Sequence, residues 1–219
     1  PESLGASTRG SGGPALRRLT AILLLLLSGL TLAANPIERG NRALAEAERL
    51  IYSQSGSAGQ LEALFAAARQ SFRGIDRSAR REYALGKVAL LEGTWLNTVE
   101  RSREAAGILE AALEHADAAL ETEEFSEGYR LLSDAHSQMM LARGLFYMVR
   151  NGDEARSAAF RALELDPSNP RAHISVAGFY LNAPPIAGGD LERGIEVLQS
   201  GVRLRDAGES ERFLMYLWL

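Results

Sequence analysis

The sequence contains no cysteine, few aromatic residues and only six valines among its 219 residues. Without cysteine the chain has no disulfides, no thiol nucleophile, no sulfur-ligated metal and no cysteine to carry a lipid anchor. The shortage of β-branched and aromatic residues argues against a sheet protein. Hydrophobic residues make up 46% of the chain, mostly as alanine and leucine, which predicts an all-α protein able to bury a sizeable core.

Recognisable catalytic motifs are missing as well. The sequence has no G-x-S-x-G, P-loop or dinucleotide fingerprint, and the AGGD stretch at 187–190 does not follow a strand pattern. The three histidines lack the spacing of metal ligands on one helix, so each is predicted to lie on the surface or in a groove: His115, His136 and His173. We therefore expect no enzymatic activity, no metal site and no cofactor.

The N-terminal region has the pattern of a secretory signal peptide. Arg17 and Arg18 precede the apolar run LTAILLLLLSGL, and the tripeptide T-L-A at 31–33 supplies the small residues of a cleavage site. The alternative is a membrane anchor, but about a dozen apolar residues fall short of the ~20 that a spanning helix needs. The sequence predicts cleavage near Ala33 and a periplasmic or secreted protein without stable membrane insertion.

The charge balance makes nucleic acid a poor candidate for a partner. The chain has a net charge of −4 at pH 7. Three of its 24 basic residues and one of its 28 acidic residues lie within 1–33, so cleavage would leave −6. A protein that binds nucleic acid would instead carry a basic patch.

Both ends of the sequence suggest a piece of a longer reading frame. The first residue is Pro1 rather than methionine, and about fifteen polar residues precede the arginines of the apolar run. At the other end, ERFLMYLWL stops inside an apolar helical pattern with no cap or breaker. We expect further residues after Leu219.

Apolar residues recur at helical spacing through most of the chain. Across 102–120 they fall three and four positions apart, which is the stripe of an amphipathic helix that packs on its neighbours. Asn35 followed by Pro36 is a typical helix start, and Asn151-Gly152-Asp153 is predicted to be a turn. The predicted helices are 36–52, 60–72, 78–91, 102–120, 125–150, 153–165, 170–181 and 190–205.

The segment GDEARSAAFRALELDPSNPRAHISVAGFYL, at 152–181, resembles a tetratricopeptide repeat (TPR). Its second helix and the following first helix carry the family's small, proline and aromatic positions at Ala155, Ala162, Pro167, Ala177 and Tyr180. Earlier first helices fit the large–small pair less closely, at Leu85–Gly86 and Leu132–Ser133. The implied repeat starts near 79, 126 and 170 are 47 and 44 residues apart, whereas the family prefers 34.

This resemblance implies a right-handed α-solenoid of stacked antiparallel helix hairpins, with degenerate and lengthened repeats. The repeats would cover 79–219, after a degenerate N-terminal hairpin at 34–78. The first helices of such a fold line a concave groove, which implies a non-catalytic exported scaffold that binds a protein or peptide partner. Exported repeat proteins similar to this one are associated with tripartite (TRAP) transporters, so the alternative is an accessory subunit that binds a small-molecule ligand during solute uptake.

The repeat register also names the groove residues. Cationic and amide groups lie there beside aromatic and aliphatic side chains, a mixture that suits a peptide carboxylate and its apolar neighbours. The predicted partner-binding residues are Arg80, Tyr83, Lys87, Arg130, Asp134, Gln138, Ile174, Gly178 and Asn182.

A loop of nine residues, NAPPIAGGD at 182–190, is about five residues longer than the repeat requires. Prolines stiffen it, glycines permit backbone angles that other residues avoid, and an aspartate can cap the next helix. These residues are Pro184, Pro185, Gly188, Gly189 and Asp190.

Two interpretations of the loop remain open. Ile186 could pack beneath it as an apolar plug, or the loop could form the rim of a pocket beside Ile174, Gly178 and Leu181. An enclosed pocket near the loop, Trp95 and Asn97 would favour the accessory subunit, and an open groove would favour the scaffold.

Overall fold

The structure, a computed structural model, describes residues 35–219, and the predicted signal peptide and its cleavage site lie outside them. The described residues form an all-α fold, as predicted. The helices are α1 (Pro36–Tyr52), α2 (Ala58–Arg73), α3 (Ala79–Thr98), α4 (Ser102–Leu120), α5 (Ser126–Arg143), α6 (Leu145–Leu165), α7 (Pro170–Asn182), α8 (Leu191–Val202) and α9 (Glu209–Trp218), with a 3-10 turn at Pro185–Ala187. None of these described helices is both long and apolar enough to span a bilayer.

Consecutive helices pack together as hairpins. The pairs are α1 with α2, α3 with α4, α5 with α6, and α7 with α8, while α9 packs on both α7 and α8. The first helices also contact one another, because α3 touches α1 and α5, and α7 touches α5 and α9. They form one continuous inner layer, and the second helices cover its outer side, which is the arrangement of an α-solenoid.

The helix starts follow from local capping chemistry. Asn35 accepts a hydrogen bond from the backbone N–H of Ile37 at 3.0 Å, with Pro36 at the first helical position. Ser57 and Gln60 form a capping box at the start of α2. Ser78 caps α3 by accepting from the next turn's backbone. Asn169 and Asp190 cap α7 and α8 in the same way.

Two glycines allow neighbouring helices to pack closely. A Cβ added to Gly86 would lie 2.6 Å from Cδ2 of Leu131, so the small residue of the Leu–Gly pair is needed where α3 meets α5. A Cβ added to Gly194 would lie 2.6 Å from Cδ2 of Leu181, where α8 meets α7. Contacts this short leave no room for a side chain.

The prediction of one helix over 125–150 followed by a turn at 151–153 is wrong. The chain turns at Gly144, whose φ of +75° favours glycine, and α6 begins at Leu145. Asn151 and Gly152 lie inside α6, where the side chain of Asn151 donates to the carbonyl of Tyr147 at 2.9 Å. Asn and Gly are common in turns, but here the asparagine bonds back along the helix.

Helix α3 also runs further than predicted, to Thr98 instead of Leu91. Gly93 lies in the helix interior, where an added Cβ would be 2.5 Å from the side chain of Leu109.

The prediction that all three histidines lie on the surface or in a groove is wrong for two of them. His136 and His173 are buried, and His115 is half-buried. His136 is hydrogen-bonded to the hydroxyl of Tyr147 at 2.9 Å, and His173 donates to the carbonyl of Asn169 at 3.0 Å. Each buried imidazole therefore has a hydrogen-bond partner within its own hairpin or helical turn.

Candidate functional site

Arg130 lies near the start of α5, in the middle of the inner layer, and only 4% of it is exposed. Its Nε donates to Oε2 of Glu127 at 2.8 Å, and Nη1 donates to the carboxylate of Asp134. Its Nη2 lies 3.5 Å from the hydroxyl oxygen of Tyr83 on α3. A buried guanidinium is tolerated here because two carboxylates compensate its charge.

The same carboxylates tie α5 to the helices on either side. Glu127 accepts from the hydroxyl of Tyr83 at 2.6 Å and from Nδ2 of Asn169 at 2.7 Å. Asp134 accepts from Oγ of Ser175, on α7, at 2.7 Å. We refer to Tyr83, Glu127, Arg130, Asp134, Asn169 and Ser175 as the inner network.

The inner network shifts the pKa values of its members. Burial alone would raise the pKa of Glu127, but the charge of Arg130 and hydrogen bonds from Tyr83, Arg130 and Asn169 outweigh it and lower the pKa to about 2. Burial, together with the charge of Glu127, raises the pKa of Tyr83 to about 12, against the opposing charge of Arg130. At neutral pH the network therefore holds an ionised carboxylate and a neutral phenol.

These shifts predict a loss of stability in acid. The pKa of Glu127 is 4.5 in its ordinary state and lower in the fold, so its contribution is present above pH 4.5 and disappears as the pH falls towards 2. We expect the free energy of unfolding to fall across this window, and to fall less steeply in Glu127→Gln. Urea unfolding at a series of pH values measures both slopes. Glu123→Gln, which removes an exposed carboxylate, is the control, and equal slopes for all three proteins would contradict the assignment.

A second group of charges joins the two ends of the inner layer. Arg171 on α7 donates through Nε to Oε1 of Glu211 on α9 at 2.9 Å, and its Nη2 lies 3.9 Å from Oε1 of Glu48 on α1. Helices α1 and α7 do not pack against each other, so only side chains meet across this gap. The inner layer is therefore strongly curved, and we call the space that it encloses the inner groove.

Lys87 is the only lysine in the sequence, and it projects from α3 into the inner groove. Its Nζ lies 5.1 Å from the ring centroid of Tyr83. Burial lowers its pKa, as do the charges of Arg130 and Arg171, while Glu127 and Glu48 oppose the shift. No carboxylate of the described residues lies within ion-pair distance of Nζ, although Arg130 and Arg171 each have two.

The structure thus brings four of the predicted groove residues together: Tyr83, Lys87, Arg130 and Asp134. Arg80 lies a turn away, exposed at the start of α3. Gln138 lies towards the other end of the groove and accepts two hydrogen bonds from Nδ2 of Asn97, at 3.0 and 3.1 Å. Oδ1 of Asn97 is buried without a partner.

The predicted residues of α7 have different roles. Ile174 packs against the core formed with α8 and α9, so Arg171 and Ser175 are the groove side chains of this helix. A Cβ added to Gly178 would meet nothing within 4 Å, which confirms open space there. Asn182 is exposed and donates to the carbonyl of Gly178 at 2.7 Å.

The loop after α7 is held in one shape, but not by a plug. Ile186 is 98% exposed, so the interpretation that it packs beneath the loop is wrong. The ring of Phe179 lies there instead, 3.5 Å from the Cβ position of Gly188, whose φ is +91°. Gly189 is required because an added Cβ would lie 1.8 Å from the carbonyl oxygen of Ala183. Asp190 donates its N–H to the carbonyl of Tyr180 at 3.0 Å.

Trp95 does not line a pocket, because it is buried in the core, 6.1 Å from Phe65 between ring centroids. Two cavities lie away from Trp95, Asn97 and the loop. One, of about 670 Å³, lies between α5 and α6 and is lined by Tyr129, Leu132, Glu154, Ser157, Ala158, Phe160, Arg161 and Glu164. The other, of about 560 Å³, lies at the start of α6. Neither is the enclosed pocket that would favour the accessory subunit.

Sequence reasoning missed five residues that shape the groove: Glu48, Glu127, Arg171, Ser175 and Glu211. Glu127 could have been found, because a glutamate three positions before Arg130 shares its helix face. Arg171 and Ser175 share a face of α7, whereas the repeat register predicts Ile174, one position before Ser175. Glu48 and Glu211 reach the groove through the curvature of the whole fold, which leaves no local signal.

No protein-family model and no curated protein matches the sequence. Among solved structures, the chain is similar to the HusA haemophore from Porphyromonas gingivalis, with a TM-score of 0.63 and 21% sequence identity. The match covers 85% of this chain and 93% of the haemophore. At this level of identity the likeness shows a shared fold.

Proposed function

We propose that this protein is an exported, non-catalytic, TPR-like scaffold whose inner groove binds a carboxylate-bearing segment of a protein or peptide partner. The observation that carries the proposal is Lys87, a half-buried cation in the groove with no carboxylate partner among the described residues. Export rests on the signal-peptide pattern of the N-terminal region. The repeat-like fold supports a binding role through its continuous inner layer.

The chemistry of the groove favours a carboxylate. The guanidinium groups of Arg130 and Arg171 already have two carboxylates each, so neither has a free charge to offer. The ammonium of Lys87 is stabilised by the face of Tyr83 and loses water through burial, and a ligand carboxylate would restore the missing charge partner. Gly178 leaves room beside the charged region for an apolar side chain.

The groove also suits an extended segment. Among the described residues, α1 and α7 do not pack against each other, and the side chains of Glu48 and Arg171 meet between them, so a chain can enter without separating packed helices.

Native mass spectrometry of the protein recovered from the exported fraction of its own host tests the proposal. A second polypeptide bound to the wild type would support it and identify the partner. A bound molecule of a few hundred daltons would instead support a small-molecule ligand.

Lys87→Met is expected to weaken binding of that partner at least about tenfold, because a charge-assisted hydrogen bond is lost. Isothermal titration calorimetry measures the change. Arg80→Met, which removes an exposed cation from the same helix, should bind like the wild type. Equal affinities for the two variants would contradict the role of Lys87.

The single lysine allows a direct observation of the bound state. Reductive ¹³C-methylation keeps the charge and labels Lys87 and the chain's amino terminus only. When the partner binds, the pKa of the labelled Lys87 should rise, since a nearby carboxylate favours the ammonium form. An unchanged titration of Lys87 in a saturated complex would place the partner elsewhere.

A second candidate function is an accessory subunit that binds a small-molecule ligand in solute uptake. The approach of Glu48 to Arg171 across the groove favours it, because this contact narrows the space available to a peptide. The similarity to a haemophore, a protein whose name describes capture of a small ligand, supports it as well.

Gly178→Leu would fill the open space beside α7, and we expect it to abolish binding of either kind of ligand.

A further inference from the structure

A group of apolar side chains projects from the corner where α5 joins α6. Leu141, Leu145, Phe146 and Val149 are all exposed, and Phe146 is 93% exposed. Leu145, Phe146 and Val149 lie on one face of the first turn of α6, because Val149 follows Leu145 by four positions and Phe146 by three. We call these four residues the corner patch.

The corner patch is not part of the interface between hairpins. Gly144, with its φ of +75°, turns the chain between α5 and α6, and the corner patch lies at this turn of the third hairpin. Another side of the same turn contacts the fold, because Tyr147 packs against the core cluster and bonds to His136. The exposed positions therefore form a projecting corner, whereas the inner groove is concave.

The stretch of sequence that carries the corner patch contains charges of one sign only. From Ser137 to Gly152 the sequence contains Arg143 and Arg150 but no acidic residue, although the whole chain has a net charge of −4. Arg143 and Arg150 line the cavity of about 560 Å³ together with Phe146, Tyr147 and Asn151. Arg143 pairs with Glu110 on α4, while Arg150 has no ionic partner among the described residues.

We propose that the corner patch docks on the surface of an anionic lipid bilayer. The apolar side chains enter the boundary between headgroups and acyl chains, and Arg150, whose charge is not paired within the described residues, meets a lipid phosphate. A projecting apolar corner with a cation beside it suits a bilayer, because lipids can surround exposed side chains without a complementary groove. Such docking leaves the protein lying on the membrane rather than spanning it, and it is independent of what the inner groove binds.

A second copy of the chain fits the corner patch less well. In a twofold symmetric dimer the same surface faces itself, so the unpaired cations of Arg150 from both copies would be brought close together. Like charges opposite one another disfavour such an interface.

Co-sedimentation with vesicles tests the proposal, using the chain from Ala34 onward so that the N-terminal apolar run does not contribute. We expect the wild type to bind vesicles of phosphatidylcholine with phosphatidylglycerol more tightly than vesicles of phosphatidylcholine alone. Phe146→Ser with Val149→Ser should weaken binding to the anionic vesicles by about tenfold or more, because two large apolar side chains no longer leave water. Arg150→Glu should remove the preference for anionic vesicles.

The matched control removes two exposed apolar side chains elsewhere, Ile186→Ser with Leu191→Ser, and should bind vesicles like the wild type. Circular dichroism confirms that all variants are folded. The proposal is overturned if the wild type does not sediment with anionic vesicles, or if the two double variants bind equally. It is also overturned if sedimentation velocity shows a wild-type dimer that Phe146→Ser with Val149→Ser dissociates, since the corner patch would then join two copies.

Discussion

Replacing Arg130 with methionine is expected to lower the free energy of unfolding by about 3 kcal/mol. Methionine fills similar space but leaves Glu127 and Asp134 side by side without their shared cation. Removing one member of a buried ionic group typically costs ~3 to 5 kcal/mol. The lower end applies because about a third of each carboxylate side chain remains exposed, at 35% and 31%, and water can partly replace the guanidinium.

Urea unfolding at neutral pH measures this change, and Arg80→Met provides the control. Arg80 is an exposed arginine at the start of α3, and its replacement should change the stability by less than about 0.5 kcal/mol. Equal midpoints for the two variants would contradict the central role of Arg130. If Arg130→Met is destabilised, adding Glu127→Gln and Asp134→Asn should recover part of the loss, since the uncompensated negative charges are then gone.

The position of the inner network explains why a polar group is buried in a helical stack that already has an apolar core. Leu131 and Ala135 of α5 pack against neighbouring helices, while Arg130 and Asp134, one position earlier, face the inner groove. The hydrogen bonds from Tyr83, Asn169 and Ser175 then fix how α3, α5 and α7 are arranged around the groove. Apolar packing sets the distances between the helices, and the directional hydrogen bonds of the network fix their relative orientation.

Local chemistry explains most of what could be predicted about the fold. The starts of α3 and α7, at Ala79 and Pro170, follow from their capping residues. The start of α5, at Ser126, has no side-chain cap and agrees with the repeat start expected near 126. The turn at Gly144 was missed because Asn151 and Gly152 form a stronger turn signal than a glycine within an apolar run. Tertiary packing overrode that signal, as it did for Gly93 in α3.

The candidate site was predicted less completely, for a geometric reason. Arg130 and Asp134 are four positions apart on one helix, so their proximity follows from sequence alone. Glu48 and Arg171 are far apart in the sequence. The distance of 3.9 Å between Oε1 of Glu48 and Nη2 of Arg171 depends on the small rotation between successive hairpins. That rotation accumulates from many side-chain contacts, and no single residue specifies it.

Gly86→Leu is expected to lower the free energy of unfolding by about 3 kcal/mol, the upper end of the usual cost of overpacking. Gly86 lies where α3 meets both α4 and α5, and an added Cβ would be 2.6 Å from Leu131 and 3.2 Å from Cβ of His115. A leucine would have to separate the second hairpin from the third, which also disturbs the inner network between Tyr83 and Glu127. Leucine's better helix propensity, worth roughly 0.8 kcal/mol, offsets only part of this cost.

Gly178→Leu is the matched control, because it makes the same substitution at an inner-layer glycine whose Cβ position is open. Here the gain in helix propensity is unopposed, so we expect stability equal to or above that of the wild type. Thermal and urea unfolding of both variants measure the difference. Comparable losses at the two positions would mean that α7 is packed on its groove side, and the open space assigned beside Gly178 for a ligand would be wrong. A stable Gly178→Leu instead separates folding from binding, since the same leucine would occupy that space and exclude the ligand.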